Sequence, residues 1–259
     1  MISRIPFKDT EISFSLSGQG PVVVWLHGFM EDKSIWKKQI EYFDGYCTNL
    51  CVDLLGHGES GSVALEHDME LQAEVVLRII DVLKMNSVVL VGHSMGGYIG
   101  LALLEKIKNR ISKIVLLNST SYPDTLEKRK NRERLLKIIP EQKETFARLG
   151  VVNLFASDTK VSIKEIENLI EIAKRTSLQG ISAALLGMKG RKSKETLLKD
   201  YEGGKLIISG EKDAVLSAEE SRIEADFVGA KFIELPGGHM SYLESEKELN
   251  ASLKLFFRF

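Results

Sequence analysis

Short apolar runs alternate along this chain with longer segments of helical spacing. The runs are PVVVWLHG at 21–28, LCVDLLG at 50–56, SVVLVGH at 87–93 and ISKIVLLNS at 111–119. Apolar residues recur at helical intervals in SIWKKQIEYF, MELQAEVVLRIIDVLKM and MGGYIGLALLEKI. Continuous apolar strands are typical of a parallel sheet that is covered on both faces. The pattern therefore predicts an α/β fold, with a mostly parallel central sheet and helices on both faces.

The alternation stops at residue 121 and resumes after residue 200. The intervening segment is charged and helical in pattern, with apolar clusters such as LLKII and ISAALLGM and no convincing strand. A strand pattern then returns in GGKLIISG and AKFIELPGG, and helical patterns return in SAEESRIEADFVG and SYLESEKELNASLKLFF. We predict one core domain formed by residues 1–120 and 201–259, and a helical cap inserted at residues 121–200.

The charge balance and the cysteine content exclude several classes of function. Lys plus Arg number 35 and Asp plus Glu number 36, so no general attraction to nucleic acid or to an anionic membrane is expected. The N-terminal residues lack the apolar core of a signal peptide, and no stretch approaches the roughly 20 apolar residues of a membrane helix. We expect a cytoplasmic protein with no metal site, in which Cys47 and Cys51 are reduced thiols.

The segment VLVGHSMGGYIG contains a G-x-S-x-G motif around Ser94. The motif alone would occur by chance in roughly one chain in ten. Here it lies where a predicted strand ends and a predicted helix begins, which is the position of a nucleophilic serine on a tight turn. We expect Gly92 and Gly96 to be glycine because a Cβ would collide with neighbouring backbone. Gly97 and Gly100 would allow close packing of the helix.

A serine nucleophile needs a base, and His239 is the strongest candidate. His239 follows the last predicted strand in ELPGGHM, and loops after parallel strands gather at one edge of the sheet. His93 is adjacent to Ser94 but on the wrong side of the turn. The remaining histidines are His27, His57 and His67.

The base in turn needs an acid that fixes its tautomer. Asp213 follows the preceding strand in LIISGEKDAV, and Glu211 is its nearest rival in that loop. The loop after VLLNS begins with Asn118 and Ser119 and has no carboxylate before Asp124. We therefore assign Asp213 as the acid.

The order Ser94, Asp213, His239 resembles the α/β-hydrolase superfamily over nearly the whole chain. The matching motifs are HGF at 27–29, DLLGHGES at 53–60, GHSMGG at 92–97, SGEKD at 209–213 and GGH at 237–239. The resemblance implies an oxyanion hole formed by the backbone N–H groups of Phe29 and Met95. It also implies that His27 braces the loop after the first motif.

The resemblance places the 121–200 insertion as a cap over Ser94. Its basic segment LEKRKNRERLLK is interpreted as a solvated helix face, with a cradle for an anionic substrate as the alternative. Residues predicted to border the substrate pocket are His27, Trp36, Tyr98, Met188 and Met240. For Trp36 and Met240, ordinary core packing is an equal alternative.

The leading hypothesis is a serine hydrolase that cleaves a small carboxylic ester through an acyl-enzyme, with no cofactor. The S-M-G-G and H-G-F-x-E motifs also resemble the menaquinone-pathway lyase and the C–C bond hydrolases. The lyase often has arginine where this chain has Tyr98, and the C–C hydrolases usually have a more glycine-rich oxyanion loop. An alternative of another class is a non-catalytic ligand-binding receptor on the same fold. The sequence predicts a small-molecule partner and makes no prediction of oligomeric state.

Overall fold

The computed structural model describes residues 2–258, which form a central sheet of eight strands. The strand order across the sheet is β1-β2-β4-β3-β5-β6-β7-β8. The first two strands pair with antiparallel neighbours, and all other neighbours are parallel. The strands are β1 (Ile2–Phe7), β2 (Thr10–Gly18), β3 (Val22–Leu26), β4 (Thr48–Val52), β5 (Val88–His93), β6 (Ile111–Leu117), β7 (Gly204–Gly210) and β8 (Lys231–Leu235).

The order of the strands reverses at β3, which pairs with β4 on one side and β5 on the other. The loops after β3 and β5 therefore diverge from adjacent strand ends and leave a crevice between them. Ligands of open α/β sheets bind in such a crevice at the carboxyl ends of the strands. The H-G-F motif and Ser94 lie in these two loops.

Ten α-helices connect and cover the strands of residues 2–258. Helix α2 begins after Asp68, whose carboxylate accepts a hydrogen bond of 2.7 Å from the Leu71 N–H, as expected for an N-cap. The helices are α1 (Lys37–Phe43), α2 (Met69–Val82), α3 (Met95–Ile107), α4 (Leu126–Val152), α5 (Ile163–Arg175), α6 (Leu178–Gly190), α7 (Glu195–Lys199), α8 (Ala218–Val228), α9 (Ser241–Glu244) and α10 (Glu246–Phe257).

Helices α4 to α7 occupy the 121–200 segment that was predicted to be an inserted cap. Pro140 lies within α4, and Gln142 has non-helical dihedral angles (φ −129°, ψ 28°), so this helix is kinked there. Helix α5 begins with a capping box formed by Ser162 and Glu165. The division of the chain into core and cap domains stays a prediction.

The hydrophobic core lies between the sheet and the helices on its two faces. Trp25 on β3 packs its ring against Trp36, with ring centroids 5.1 Å apart, and against Phe43 at 5.9 Å. Burial raises the pKa of the Cys47 thiol to about 12 and also raises that of Cys51. Both thiols are buried, and neither forms a disulfide.

Two features of the sheet and its last helix differ from the pattern in the sequence. Strand β1 forms an antiparallel hairpin with β2, and no strand was predicted for residues 2–7. Only Ile5 of β1 is buried, because an edge strand needs little apolar surface. The closing helix is interrupted at Ser245 (φ −131°, ψ 42°), which separates α9 from α10.

Helix α6 contacts the core through glycine. A Cβ built on Gly180 would lie 2.1 Å from the carbonyl oxygen of Gly56, in the loop after β4. A Cβ built on Gly187 would lie 1.9 Å from the carbonyl oxygen of His67. Because both neighbours are backbone atoms, neither contact can be relieved by a side-chain rotation. The helix therefore lies against the core at backbone-to-backbone distance.

We predict that Gly180→Ala lowers the free energy of unfolding by about 1–3 kcal/mol, because the added methyl group must push α6 away from Gly56. Thermal and urea unfolding would measure this change. Gly150→Ala is the matched control, since a Cβ there meets no atom within 4 Å. It should stabilise α4 by about 0.5–1 kcal/mol, because alanine has the higher helix propensity. Equal effects of the two substitutions would contradict the prediction.

Candidate active site

Ser94 occupies a strained turn between β5 and α3. Its dihedral angles are φ 49° and ψ −115°, a conformation that costs a non-glycine residue of order 1–3 kcal/mol. The backbone of Ser94 is fixed on both sides, since its N–H donates to the Leu117 carbonyl (3.0 Å) and its carbonyl accepts from the Ser119 hydroxyl (2.7 Å). Ser94 is half-buried between the buried residues His93 and Met95. The turn is thus held in the geometry expected of a nucleophile elbow.

Glycines allow the surrounding backbone to approach this turn. A Cβ built on Gly96 would lie 2.2 Å from the Leu26 carbonyl oxygen of β3, and one on Gly92 would lie 2.4 Å from the Gly96 carbonyl oxygen. A Cβ on Gly97 would meet the Ser119 hydroxyl at 2.2 Å. Gly100 is different, because a Cβ there would have its nearest contact at 3.8 Å. The expectation that close packing requires Gly100 is therefore wrong.

His239 and Asp213 are hydrogen-bonded to each other. The Nδ1 atom of His239 lies 2.8 Å from Oδ2 of Asp213. The amide of Asn118 donates to the same oxygen (2.9 Å), and the backbone N–H groups of Val215 and Leu216 donate to Oδ1 (2.8 and 3.1 Å). Burial alone would raise the pKa of Asp213, but His239 and these donors lower it below its ordinary value.

The ionised Asp213 determines which nitrogen of His239 carries the proton. A carboxylate only accepts hydrogen bonds, so Nδ1 of His239 is the protonated nitrogen in the neutral ring. The lone pair of Nε2 is then available to accept a proton. The His239 side chain is 3% exposed and that of Asp213 is fully buried. The pair can therefore supply a base of fixed tautomer.

The loop that carries His239 is held by the segment after α4. The His239 N–H donates to the Leu154 carbonyl at 2.8 Å. One carboxylate, that of Glu244, accepts from the Gly238 N–H (2.8 Å) and from the Ala156 N–H (2.9 Å). These contacts join the 121–200 segment directly to the residue predicted as the base.

The rival carboxylates are engaged or exposed elsewhere. Asp124 forms ion pairs with Arg191 and Arg132, with nitrogen–oxygen distances of 2.5 Å in each. Glu211 is exposed, and its N–H donates to the Leu235 carbonyl. Among residues 2–258, neither carboxylate forms a hydrogen bond or ion pair with His239.

His57 and His67 are buried in loops around α6 and α2. Burial, with the neighbouring His27, lowers the pKa of His57 to about 3, so its ring is neutral. Its Nδ1 atom lies 3.0 Å from the Leu55 carbonyl oxygen. The backbone N–H of His67 donates to the Ala183 carbonyl of α6 at 3.0 Å.

Two backbone N–H groups were predicted to form an oxyanion hole, those of Phe29 and Met95. Met95 is the first residue of α3, so its N–H has no helical acceptor. Among the hydrogen bonds of residues 2–258, neither this N–H nor that of Phe29 has a protein acceptor. His27 braces the loop before Phe29, since Nδ1 lies 2.8 Å from the Gly28 carbonyl oxygen and Nε2 accepts from the Leu54 N–H at 3.0 Å.

The predicted pocket residues lie in different surroundings. His27 and Trp36 are fully buried, and the Trp36 ring packs between Trp25 and Tyr242. Tyr98 is 7% exposed, and the guanidinium of Arg191 stacks over its ring at 4.0 Å from the centroid. Met188 and Met240 are also buried, at 3% and 1% exposure. Their contacts with a substrate stay predictions.

Three residues near the site were not identified from the sequence. Asn118 was considered only as the start of a loop, yet its amide donates to Asp213. Glu31 and Tyr242 lie close to His93, with the Tyr242 hydroxyl donating to Glu31 at 2.9 Å. Their positions in the sequence are 211 residues apart, so no local pattern connects them. The one available signal was the glutamate of the H-G-F-x-E motif, which is Glu31 and was given no role in the site.

Two further properties bear on the kind of protein this is. No helix within residues 2–258 has the length and hydropathy of a membrane span. The same residues contain no group of three His, Cys, Asp or Glu side chains arranged to hold a metal ion.

Known proteins with similar sequences include enzymes of several kinds. The acetyltransferase component of the acetoin cleaving system of Pseudomonas putida is 26% identical over 255 residues, which cover 95% of this chain. The chain spans only 66% of that relative and 63% of the corresponding protein of Cupriavidus necator. A putative 2-succinyl-6-hydroxy-2,4-cyclohexadiene-1-carboxylate synthase of Bacillus subtilis is 26% identical, with 91% of each chain covered.

A solved structure and a family model give the same assignment of the fold. A thermophilic esterase from Thermogutta terrifontis, solved with malate bound, superposes with a TM-score of 0.92 at 27% identity, covering 100% of this chain and 98% of the esterase. The family model described as the alpha/beta hydrolase fold matches residues 21–246. The resemblance and the fold class predicted from the sequence are confirmed. The chain belongs to the α/β hydrolase fold family.

Proposed function

We propose that the chain is a serine hydrolase that cleaves a small carboxylic ester through an acyl-enzyme. The observation that carries the proposal is the bond between His239 and Asp213, in a loop that contacts the turn of Ser94. His93, the residue before Ser94, lies 3.0 Å from the His239 carbonyl oxygen through its Nε2 atom. The three residues Ser94, Asp213 and His239 are the proposed triad.

In the first half of the reaction, Nε2 of His239 accepts the proton of the Ser94 hydroxyl. The Ser94 oxygen then attacks the ester carbonyl carbon, and the carbonyl oxygen becomes negatively charged. Asp213 stabilises the imidazolium that has formed, because its pKa keeps it ionised at neutral pH. His239 returns its proton to the alkoxide oxygen, and the alcohol leaves the acyl-enzyme.

In the second half, water takes the place of the alcohol. His239 removes a proton from the water, the hydroxide attacks the acyl carbon, and the acid leaves as the Ser94 hydroxyl regains its proton. Both tetrahedral intermediates place negative charge on one oxygen, for which the N–H groups of Phe29 and Met95 are the proposed donors. One such donor raises kcat by a factor of about 10²–10³.

The 121–200 segment is proposed to act as the cap of the site. The support for this role is the contact of Leu154 and Ala156 with the loop of His239. A cap that excludes water strengthens the hydrogen bonds of the oxyanion hole. The proposed pocket residues His27, Trp36, Tyr98, Met188 and Met240 are all at least nine-tenths buried in this arrangement.

A second candidate is C–C bond cleavage by the same triad, as in the menaquinone-pathway lyase. Two observations favour it: the coverage of the Bacillus subtilis relative, and the Arg191 cation stacked on Tyr98. Arg191 places a positive charge over the ring of Tyr98, the residue that stands where the lyase often has arginine. However, Asp124 already neutralises that charge at 2.5 Å, so an acidic substrate would have to compete with a buried carboxylate.

A panel of substrates separates these candidates. Esters of graded chain length, a thioester, a lactone and the menaquinone precursor are compared at equal enzyme concentration. Ester turnover without pyruvate release supports the hydrolase. Pyruvate release that exceeds ester turnover would favour the lyase over the hydrolase. If a fluorophosphonate labels the protein but no compound of the panel is cleaved, the substrate is an acyl compound outside the panel.

We predict that Ser94→Ala lowers kcat for short nitrophenyl esters by at least about 10⁴-fold, because the covalent intermediate can no longer form. The substitution should also abolish covalent labelling by a fluorophosphonate, which mass spectrometry detects. Ser87→Ala, at an exposed serine before β5, is the matched control and should retain wild-type turnover and labelling. A folded wild-type protein that the probe does not label would favour the ligand-binding receptor instead.

We predict that Asp213→Asn lowers kcat by about 10⁴-fold with little change in KM, because the amide no longer fixes the tautomer of His239. Steady-state kinetics on the best ester of the panel measure both constants. Glu211→Gln changes the rival carboxylate of the same loop, and it should leave kcat unchanged because Glu211 is exposed. A larger loss in Glu211→Gln than in Asp213→Asn would reverse the assignment of the acid.

A further inference from the structure

A buried pair of charged groups, Glu31 and His93, lies behind the proposed triad. Glu31 is 4% exposed and His93 is 1% exposed. Glu31 follows the predicted oxyanion residue Phe29 by two positions, and His93 precedes Ser94. The mechanism proposed above uses neither side chain. A buried ion pair at this place requires an explanation, since apolar residues of the same volume are often as stable or more so.

The hydrogen bonds of His93 require a proton on both ring nitrogens. Nδ1 lies 2.9 Å from Oε2 of Glu31, and Nε2 lies 3.0 Å from the carbonyl oxygen of His239. A carbonyl and an ionised carboxylate only accept hydrogen bonds. His93 is therefore an imidazolium that donates in two directions, to the oxyanion loop and to the loop of the proposed base.

The pKa shifts agree with this geometry. Burial alone would raise the pKa of Glu31, but the charge and hydrogen bond of His93 and the Gly28 N–H lower it to about 2. Burial alone would lower the pKa of His93, but Glu31 and the His239 carbonyl raise it above its ordinary value. The pair is thus charged from about pH 2 until the pH exceeds the raised pKa of His93.

Glu31 also fixes the loop that contains Phe29. Its Oε2 atom accepts from the Gly28 N–H at 2.5 Å, and Oε1 accepts from the Tyr242 hydroxyl at 2.9 Å. A Cβ built on Gly28 would lie 2.7 Å from Oε2 of Glu31 and 2.9 Å from Nδ1 of His93. The glycine before Phe29 is therefore packed directly onto the charged pair.

We propose that Glu31 and His93 are positioning residues that hold the oxyanion loop and the His239 loop in the correct position relative to Ser94. One chain of hydrogen bonds runs from the Gly28 N–H through Glu31 and His93 to the His239 carbonyl. This inference rests on the proposed function, because the aligned groups are the oxyanion donor Phe29, the nucleophile Ser94 and the base His239. Neither positioning residue touches the substrate.

If the His93 imidazolium loses one proton, one of the two hydrogen bonds that its ring donates is broken. A neutral ring donates through one nitrogen only, so either Glu31 or the His239 carbonyl would face a lone pair. The groups that face His93 are Glu31 of the oxyanion loop, Tyr242 of α9 and the His239 residue, with Asp213 as the next charge. Because the pKa of His93 is raised in the folded protein, the alignment of the two loops is present at low pH and is lost as the pH rises through that pKa.

Glu31→Gln tests the proposal, because glutamine keeps the shape and removes the charge. Relative to wild type, we expect the rate of fluorophosphonate labelling at Ser94 and kcat for the best ester to fall by about 10-fold to 100-fold. KM should change little. The basic limb of the rate–pH profile should move to lower pH, because without the carboxylate His93 loses its proton more easily. Glu41→Gln, at an exposed position of α1, is the matched control and should behave as wild type.

A second variant and a spectroscopic measurement keep the test decisive if Glu31→Gln does not fold. Tyr242→Phe removes only the hydroxyl that donates to Glu31, and the looser carboxylate should lower the labelling rate by a smaller factor than in Glu31→Gln. In ¹⁵N spectra of histidine-labelled wild type, the ring of His93 should carry protons on both nitrogens at neutral pH. A neutral His93 ring at neutral pH would overturn the proposal. Folded variants that keep the wild-type labelling rate and the wild-type rate–pH profile would also overturn it.

The labelling rate separates this inference from the proposed function. If wild type is labelled but cleaves no ester, the ester assignment fails, and the labelling rates of Glu31→Gln and Tyr242→Phe still decide the positioning role. If folded wild type is not labelled at all, Ser94 is not activated and both proposals are overturned together. If wild type is labelled and the variants match it, only the positioning role is overturned.

Discussion

His239 lies in a loop, and backbone hydrogen bonds from two different elements hold it there. Its N–H donates to Leu154 in the 121–200 segment, and its carbonyl accepts from His93 beside Ser94. Its ring is held by Asp213 at 2.8 Å. The proposed role of His239 as a base needs this restraint, because a displacement of about 1 Å costs on the order of 100-fold in rate. The sheet, the 121–200 segment and the loop of Phe29 all contribute to the position of this one residue.

The sheet supplies the rigid part of the arrangement. Strands β3 and β5 are neighbours in parallel register, so the loops of Phe29 and Ser94 leave the sheet at the same edge. The strained dihedral angles of Ser94 persist because Gly96 packs against the Leu26 carbonyl and two further hydrogen bonds fix the turn. The free energy of packing around β5, whose six residues are all buried, offsets the free energy of that strain.

The sequence predicted the parts of the molecule that depend on local pattern. Continuous apolar strands, helical periodicity and the order of Ser94, Asp213 and His239 were sufficient for the fold class. Strand β1 was missed because an edge strand buries little and so has no apolar pattern to read. Gly100 was assigned a packing role from its place in a glycine-rich motif, but the space around it is open enough for a Cβ. The proposed triad was found because each member follows a strand.

Glu31, Tyr242 and Asn118 could not be found in this way, because their importance depends on contacts between distant segments. The sequence places His93 on the wrong side of the turn for a base, and its contacts with Glu31 and the His239 carbonyl support the proposed positioning role instead. A charge that is buried next to a reactive residue is expensive unless it is paired and hydrogen-bonded. Glu31 and His93 satisfy that requirement with four hydrogen bonds. One joins the two side chains, and the other three join the pair to the Gly28 N–H, the His239 carbonyl and the Tyr242 hydroxyl. An apolar pair of the same volume would fill this space equally well, but it would leave the Gly28 N–H and the His239 carbonyl without partners. The charged pair therefore contributes orientation, which apolar contacts cannot give because they have no direction.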